Sequence, residues 1–135
     1  MVQIQATYTG EKHCKAKHGP SESIVETDAP KDNQGRGEKF SPTDLVATAL
    51  GTCILTTIAI VAERDGQSIT GSKITVEKVM SQNPRRIESL KTIIELPKLI
   101  PEDYRRKILN VAETCPVTKS LHPEILIPLE IRYTL

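Results

Sequence analysis

The two ends of the chain alternate regularly between apolar and polar side chains. From Val2 to Tyr8 every second residue is apolar, and the same pattern runs from Ile125 to Leu135. A period of two is typical of a strand with one buried face. Pro128 in the last stretch favours an edge strand or a bulge, because proline cannot donate a hydrogen bond to a neighbouring strand.

A long apolar stretch, Leu45 to Ala62, carries no charged residue. The residues before it predict a helix start, with Ser41 as the cap, Pro42 at the first helical position and Asp44 in the first turn. Gly66 should end the helix after Arg64 or Asp65. The stretch is apolar on every side, so it must be covered on every side, and a second copy of the chain would supply the cover. The pattern therefore predicts a homodimer.

The same stretch is just long enough for a membrane-spanning helix. Its threonines and Gly51, together with acidic residues at both borders (Asp44 and Glu63), favour a buried core helix instead.

The remaining patterns complete the order of elements. They predict strands at 12–18, 23–27, 69–80 and 87–96, helices at 101–113 and 116–121, and a surface loop at 28–39. The order is βββ–α–ββ–αα–β. It indicates an α+β fold in a single domain, 1–135, and argues against a doubly wound parallel sheet.

Charge and cysteine content exclude some classes of function. Eighteen basic and seventeen acidic residues give a net charge of +1, which gives no electrostatic reason to expect nucleic acid or a membrane as partner. No charged leader with an apolar stretch precedes the first strand, so we expect no secretion signal. Three widely spaced cysteines do not form a secreted disulfide framework. We therefore expect a cytoplasmic protein whose thiols stay reduced or react transiently.

Two of the cysteines are candidates for chemistry. Cys53 lies in the middle of the apolar helix, where an unpaired cysteine is often simply a small buried hydrophobe. Cys115 precedes Pro116 at the start of a predicted helix, where the N–H groups of Val117 and Thr118 should face its sulfur and favour the thiolate. Cys14, on a predicted strand, is interpreted as structural.

Two other groups of residues do not indicate a cofactor or a metal site. His13-Cys14…His18 resembles a zinc pattern, but neighbouring residues of a strand point to opposite faces. The glycines around Arg36 are too few for a phosphate loop. We predict no cofactor and no metal.

Cys53 lies in the apolar helix and Cys115 lies at the start of a later helix. With these two positions, the chain resembles the OsmC/Ohr family of thiol-dependent proteins, and in particular its less characterised OsmC-like branch. The resemblance rests on the stretch from Phe40 to Cys53 (FSPTDLVATALGTC), on Gly66, and on the stretch from Cys115 to Leu121 (CPVTKSL). It covers essentially the whole chain. It implies the family's intertwined α+β dimer, with the cysteine helices at the centre.

The resemblance also implies hydroperoxide reduction as a defence against oxidative stress. Cys53 would attack the peroxide, Cys115 would resolve the product as a disulfide, and a dithiol or another thiol reductant would reset the pair. Thr43 stands where active peroxidases of the family carry glutamate, with Asp44 one residue further and Arg36 in the preceding loop. These three are possible supporting residues. Without a nearby cation, we expect burial to raise the pKa of Cys53.

A second hypothesis comes from another functional class. The protein could be a non-enzymatic dimer that binds a small apolar or thiol-reactive ligand at the dimer interface. An arginine that reaches Cys53 favours the enzyme; the lack of any cation there favours the binding protein.

Overall fold

The computed structural model describes residues 1–135, and the chain divides into an N-terminal unit, Met1–Val46, and a C-terminal unit, Ala47–Leu135. The element order βββ–α–ββ–αα–β is confirmed. The single domain 1–135 stays a prediction.

The N-terminal unit is a three-stranded antiparallel sheet followed by a loop. Its strands are β1 (Ile4–Gly10), β2 (His13–His18) and β3 (Ile24–Asp28), in that spatial order. The predicted loop contains a short 3-10 turn at Lys31–Asn33. After this turn Phe40 pairs with Thr27, and the backbone N–H of Asp28 donates to the carbonyl of Phe40, which returns the chain to the sheet before the first helix.

The first helix, α1 (Pro42–Arg64), begins as predicted. The Ser41 backbone N–H donates to the Asp44 carboxylate at 2.9 Å, and the Asp44 N–H donates to the Ser41 hydroxyl at 3.1 Å. This reciprocal pair satisfies two N–H groups at the helix start. At the other end Gly66 adopts a positive φ of 77°, as a helix-ending glycine does.

The C-terminal unit packs helices with a mixed sheet. Its further elements are β4 (Lys73–Ser81), β5 (Arg86–Leu96), α2 (Glu102–Ala112), α3 (Pro116–Ser120) and β6 (Leu129–Tyr133). β5 is central, antiparallel to β4 and parallel to β6, and α2 and α3 form the crossover between the parallel strands. β6 is an edge strand, as Pro128 indicated.

Two strands begin four residues later than predicted, and the other strand boundaries differ by no more than two residues. β4 begins at Lys73 instead of Ile69, because Gly71 has a φ of 88° and the Ser72 N–H bonds back to the Ile69 carbonyl in a turn. β6 begins at Leu129, although the alternation starts at Ile125. Before Leu129, an isolated bridge at Leu126 and a hydrogen bond from the Thr92 N–H to the Pro128 carbonyl join this segment to β5.

The single chain covers α1 on one face only, so the expectation of complete coverage is not met within one copy. The buried residues follow helical spacing; they are Ala47, Leu50, Gly51, Ile54, Ile58 and Ala62. Gly51 lets α1 approach β4 closely, since a Cβ there would lie 3.1 Å from a methyl of Val76. Only 33% of the most apolar 18-residue stretch of α1 is buried, and Ile60 is 61% exposed.

By length and composition α1 is also the one helix that could cross a membrane. That is weak evidence, because the core helix of a soluble protein passes the same test.

Candidate active site

Two elements of the C-terminal unit bring Cys53 and Cys115 together. Cys53 is half-buried on α1, and Cys115 is fully buried at the residue that precedes α3. Both cysteines are free thiols, and the Cys115 thiol donates a hydrogen bond to the Cys53 sulfur. The third cysteine, Cys14, lies on β2 in the N-terminal unit and is half-buried.

The start of α3 supplies a second donor to Cys53. Pro116 occupies the first helical position, as predicted, and Cys115 stands at the cap. The Cys115 side chain makes no capping hydrogen bond, however, and the Val117 N–H donates to the sulfur of Cys53 instead. We predicted that this N–H group would face Cys115. That prediction is wrong, because the α3 donor acts on the cysteine of a different helix.

These contacts decide the ionisation of Cys53. Burial is the largest influence and raises the pKa of the thiol, since it disfavours the charged form. Hydrogen bonds from Cys115, from the Val117 N–H and from Thr57 together outweigh burial, and they hold the pKa of Cys53 below its ordinary value. The expectation that burial would leave this pKa raised is therefore wrong.

Among the three donors, Thr57 is the weakest. Its hydroxyl donates at 2.7 Å to the carbonyl of Cys53, whereas its oxygen lies 3.9 Å from the Cys53 sulfur. A hydroxyl carries one proton, so the bond to the carbonyl leaves little for the sulfur. Cys115 and Val117 are therefore the donors that matter most.

No cation contributes to the lowered pKa of Cys53; its causes are burial and hydrogen bonds. Arg36 lies in the N-terminal unit, is 61% exposed, and pairs there with Glu11 at 3.5 Å and Glu38 at 3.7 Å. The Thr43 hydroxyl lies 3.2 Å from the Ser41 hydroxyl, and Asp44 caps the start of α1. Roles in chemistry for Arg36, Thr43 and Asp44 stay predictions.

Sequence reasoning missed two contacts of this site. Thr57 follows Cys53 by four residues, which places both on one face of α1, so this contact could have been found from spacing. The bond from Val117 to Cys53 joins α3 to α1, and no local pattern shows which sulfur an N–H group will meet.

Comparison with known proteins identifies the family. The model of the OsmC-like protein family matches residues 35–130, a stretch that includes both Cys53 and Cys115. The search of curated proteins finds no match.

Solved structures agree with the family match. A candidate osmotic stress induced and detoxification response protein from Psychrobacter arcticus is 41% identical, with a TM-score of 0.93 over 98% of this chain and 96% of that one. The organic hydroperoxide resistance protein OsmC from Legionella pneumophila is 16% identical, with a TM-score of 0.74 over 98% and 96% of the two chains. OhrB of Bacillus subtilis, also an organic hydroperoxide resistance protein, is 17% identical, with a TM-score of 0.68 over 98% of both chains. The last two show likeness of fold alone, whereas the family match covers most of the chain, and we conclude that this protein belongs to the OsmC family, which is linked to organic hydroperoxide resistance and oxidative stress.

Proposed function

We propose that this protein is a cytoplasmic thiol peroxidase, a peroxiredoxin-type oxidoreductase that reduces hydroperoxides through Cys53 and Cys115. The observation that carries the proposal is the hydrogen-bonded thiol pair, in which the pKa of Cys53 is lowered despite burial. Thiolate, not thiol, is the nucleophile, so a lowered pKa increases the reactive fraction at neutral pH.

Cys53 acts first. Its thiolate attacks the terminal OH oxygen of the hydroperoxide and breaks the O–O bond, and the departing alkoxide takes up a proton to leave as an alcohol. Cys53 becomes a sulfenic acid, so the sulfur is oxidised by two electrons and the peroxide is reduced by two.

Cys115 acts second. Its sulfur attacks the sulfenic sulfur of Cys53, water leaves, and a disulfide joins the two residues. A dithiol, or two molecules of another thiol, then reduces this disulfide by exchange. Because Cys115 already hydrogen-bonds to Cys53, the second step needs little movement.

The surroundings of Cys53 favour organic hydroperoxides over hydrogen peroxide. Cys53 lies in the middle of the uncharged, largely apolar stretch of α1, and apolar side chains gain from contact with an alkyl group. Two of the structural relatives carry hydroperoxide resistance in their names, which supports the same substrate class.

The working form is a homodimer in this proposal. Ile60, on the outer face of α1, is 61% exposed. About two thirds of the most apolar 18-residue stretch of the helix is not buried within one chain. Burial of apolar surface contributes about 25 cal/mol per Å², so contact with a second α1 would stabilise the pair.

Stoichiometric oxidation tests the reaction. Reduced protein is treated with one equivalent of cumene hydroperoxide, and mass spectrometry locates any disulfide. The expected result is one equivalent of alcohol and a Cys53–Cys115 disulfide. Cys53→Ser should consume no peroxide, whereas Cys115→Ser should consume one equivalent to form the sulfenic acid and, when a second equivalent is added, should over-oxidise Cys53 to the sulfinic acid. Cys14→Ser is the matched control and should behave as wild type. Equal loss of the first turnover in Cys53→Ser and Cys115→Ser would contradict these roles.

One observation favours a second candidate function: no cation contributes to the pKa of Cys53. A non-enzymatic dimer that binds a small apolar or thiol-reactive ligand needs no such cation. Stopped-flow oxidation of Cys53 in Arg36→Ala separates the two. The peroxidase account with Arg36 as supporting residue expects a slower rate with cumene hydroperoxide; a wild type that is itself no faster than free cysteine favours the binding protein.

A further inference from the structure

A cluster outside the thiol site lies at one end of the N-terminal sheet. His13 begins β2 and pairs in register with Asp28, the last residue of β3. Directly opposed residues of an antiparallel pair project from the same face, so their side chains meet. Glu38, from the loop that follows, brings a second carboxylate to the same place.

The distances within this cluster suit a metal ion. The Nε2 atom of His13 lies 3.5 Å from an Asp28 carboxylate oxygen (Oδ1) and 3.7 Å from a Glu38 carboxylate oxygen (Oε2), and all three atoms lie within 4.8 Å of one another. Ligands about 2.0–2.2 Å from a tetrahedral zinc ion are roughly 3.3–3.6 Å apart. The His13–Asp28 distance lies within this range, and the His13–Glu38 distance lies just above it.

One carboxylate oxygen of Asp28 is buried without a hydrogen-bond partner. The Asp28 side chain is fully buried. Its Oδ2 accepts a hydrogen bond from the Glu38 N–H at 3.0 Å, but its Oδ1 has no hydrogen-bond partner. A buried carboxylate oxygen without a partner is costly, and metal coordination is one of the few ways to satisfy it. This oxygen is the one that faces His13.

The other side of the cluster opens on a surface pocket. His13 and Glu38 line a surface pocket with Thr9, so water or another small ligand can complete the coordination. Arg36 lies 3.7 Å from the second oxygen of Glu38, Oε1, which leaves Oε2 for a metal. Two carboxylates and one neutral imidazole would carry a charge of −2, matched to a divalent ion.

We propose that His13 Nε2, Asp28 Oδ1 and Glu38 Oε2 form a binding site for a divalent first-row transition metal of the zinc class. Imidazole suits zinc, iron, nickel and copper, whereas magnesium and calcium prefer oxygen ligands alone. Along the sequence, Cys14 and His18 lie near His13 as further candidate zinc ligands. The ligands come instead from β3 and the following loop. This site is independent of the thiol chemistry.

Calorimetric titration of Zn²⁺ into full-length, chelator-treated protein tests the site. All proteins carry Cys14→Ser, Cys53→Ser and Cys115→Ser, so that thiols cannot bind the metal. In this background one equivalent should bind, and His13→Gln and Glu38→Gln should each weaken binding at least about tenfold. Both side chains are partly exposed, so these variants should keep the fold, which circular dichroism checks. His18→Gln, at the other end of β2, is the matched control and should bind as the background protein does.

A titration with Co²⁺ adds a spectroscopic readout: nitrogen and oxygen ligation gives weak visible bands, and these should vanish in His13→Gln. The absence of binding in the background protein would overturn the proposal and leave the cluster as polar contacts of His13 with Asp28 and Glu38. Binding that His13→Gln and Glu38→Gln do not weaken would overturn it as well.

Discussion

The two units of this protein bury different kinds of residue. In the C-terminal unit the buried residues are almost all apolar, with Leu50, Leu90 and Ile94 at or near zero exposure. In the N-terminal unit every buried residue is polar: Thr27, Asp28 and Ser41.

This difference separates a unit held by an apolar core from one held by polar contacts. The C-terminal core fixes α1 and the crossover helices, and through them the positions of Cys53 and Cys115. A reactive thiol pair needs fixed positions, because a shift of one reacting group by about 1 Å can greatly lower the reaction rate. The N-terminal unit holds Asp28 and Ser41 through hydrogen bonds, and it exposes apolar side chains such as Ile4 and Tyr8.

The largest effect should come from the C-terminal core. Leu90→Ala removes a side chain with no exposed surface from the central strand and should lower the free energy of unfolding by about 2–5 kcal/mol. Leu99→Ala, at a leucine that is 93% exposed, is the control and should change it by less than about 0.5 kcal/mol. Urea unfolding at fixed protein concentration measures both. A similar cost in the two variants would mean that the core does not dominate the stability of this unit.

A smaller effect should follow from a charge on the outer face of α1. Ile60→Lys places an ammonium group where we propose the second copy binds, and desolvation of that charge should weaken dimerisation at least about tenfold, or 1.4 kcal/mol. Light scattering over a dilution series gives the dissociation constant. Leu99→Lys makes the same chemical change outside the helix and should leave the dimer intact. If the wild type is a monomer at all concentrations, the proposed interface is wrong.

The smallest of the three stability effects concerns polar burial in the N-terminal unit. Ser41→Ala removes the hydroxyl that accepts from the Asp44 N–H and should cost about 0.5–2 kcal/mol. Thr114→Ala removes an exposed hydroxyl that also bonds to the backbone, and should cost less than about 0.5 kcal/mol. Thermal unfolding by circular dichroism compares them. A silent Ser41→Ala would show that the capping pair contributes little.

The sequence predicts what depends on local patterns. The spacing of apolar residues is enough to predict the order of elements. The Ser41 cap and Gly66 are enough to predict where α1 begins and ends. Pro128 indicates the edge position of β6, because a missing N–H group is a property of the residue itself. The resemblance to the family also selects Cys53 and Cys115.

What the sequence does not predict depends on contacts between distant segments. The Val117 N–H meets Cys53 because the fold brings the start of α3 to this residue of α1, so a pattern along one segment assigned the N–H group to the wrong cysteine. The cluster at His13 was missed for the same reason: Asp28 lies opposite this residue only once the register of β2 and β3 is fixed.

The central claim is that hydrogen bonds from Cys115 and from the Val117 N–H hold the pKa of Cys53 below its ordinary value. The direct measurement is the pH dependence of alkylation of Cys53 by iodoacetamide, followed by mass spectrometry of its peptide, in wild type and in Cys115→Ala. Because the thiolate reacts, the rate rises as pH passes through the pKa of Cys53. The account predicts a midpoint below that of an ordinary thiol in the wild type. It predicts a higher midpoint in Cys115→Ala, where one donor is lost and burial remains. A midpoint that stays unchanged or falls in Cys115→Ala would contradict the account.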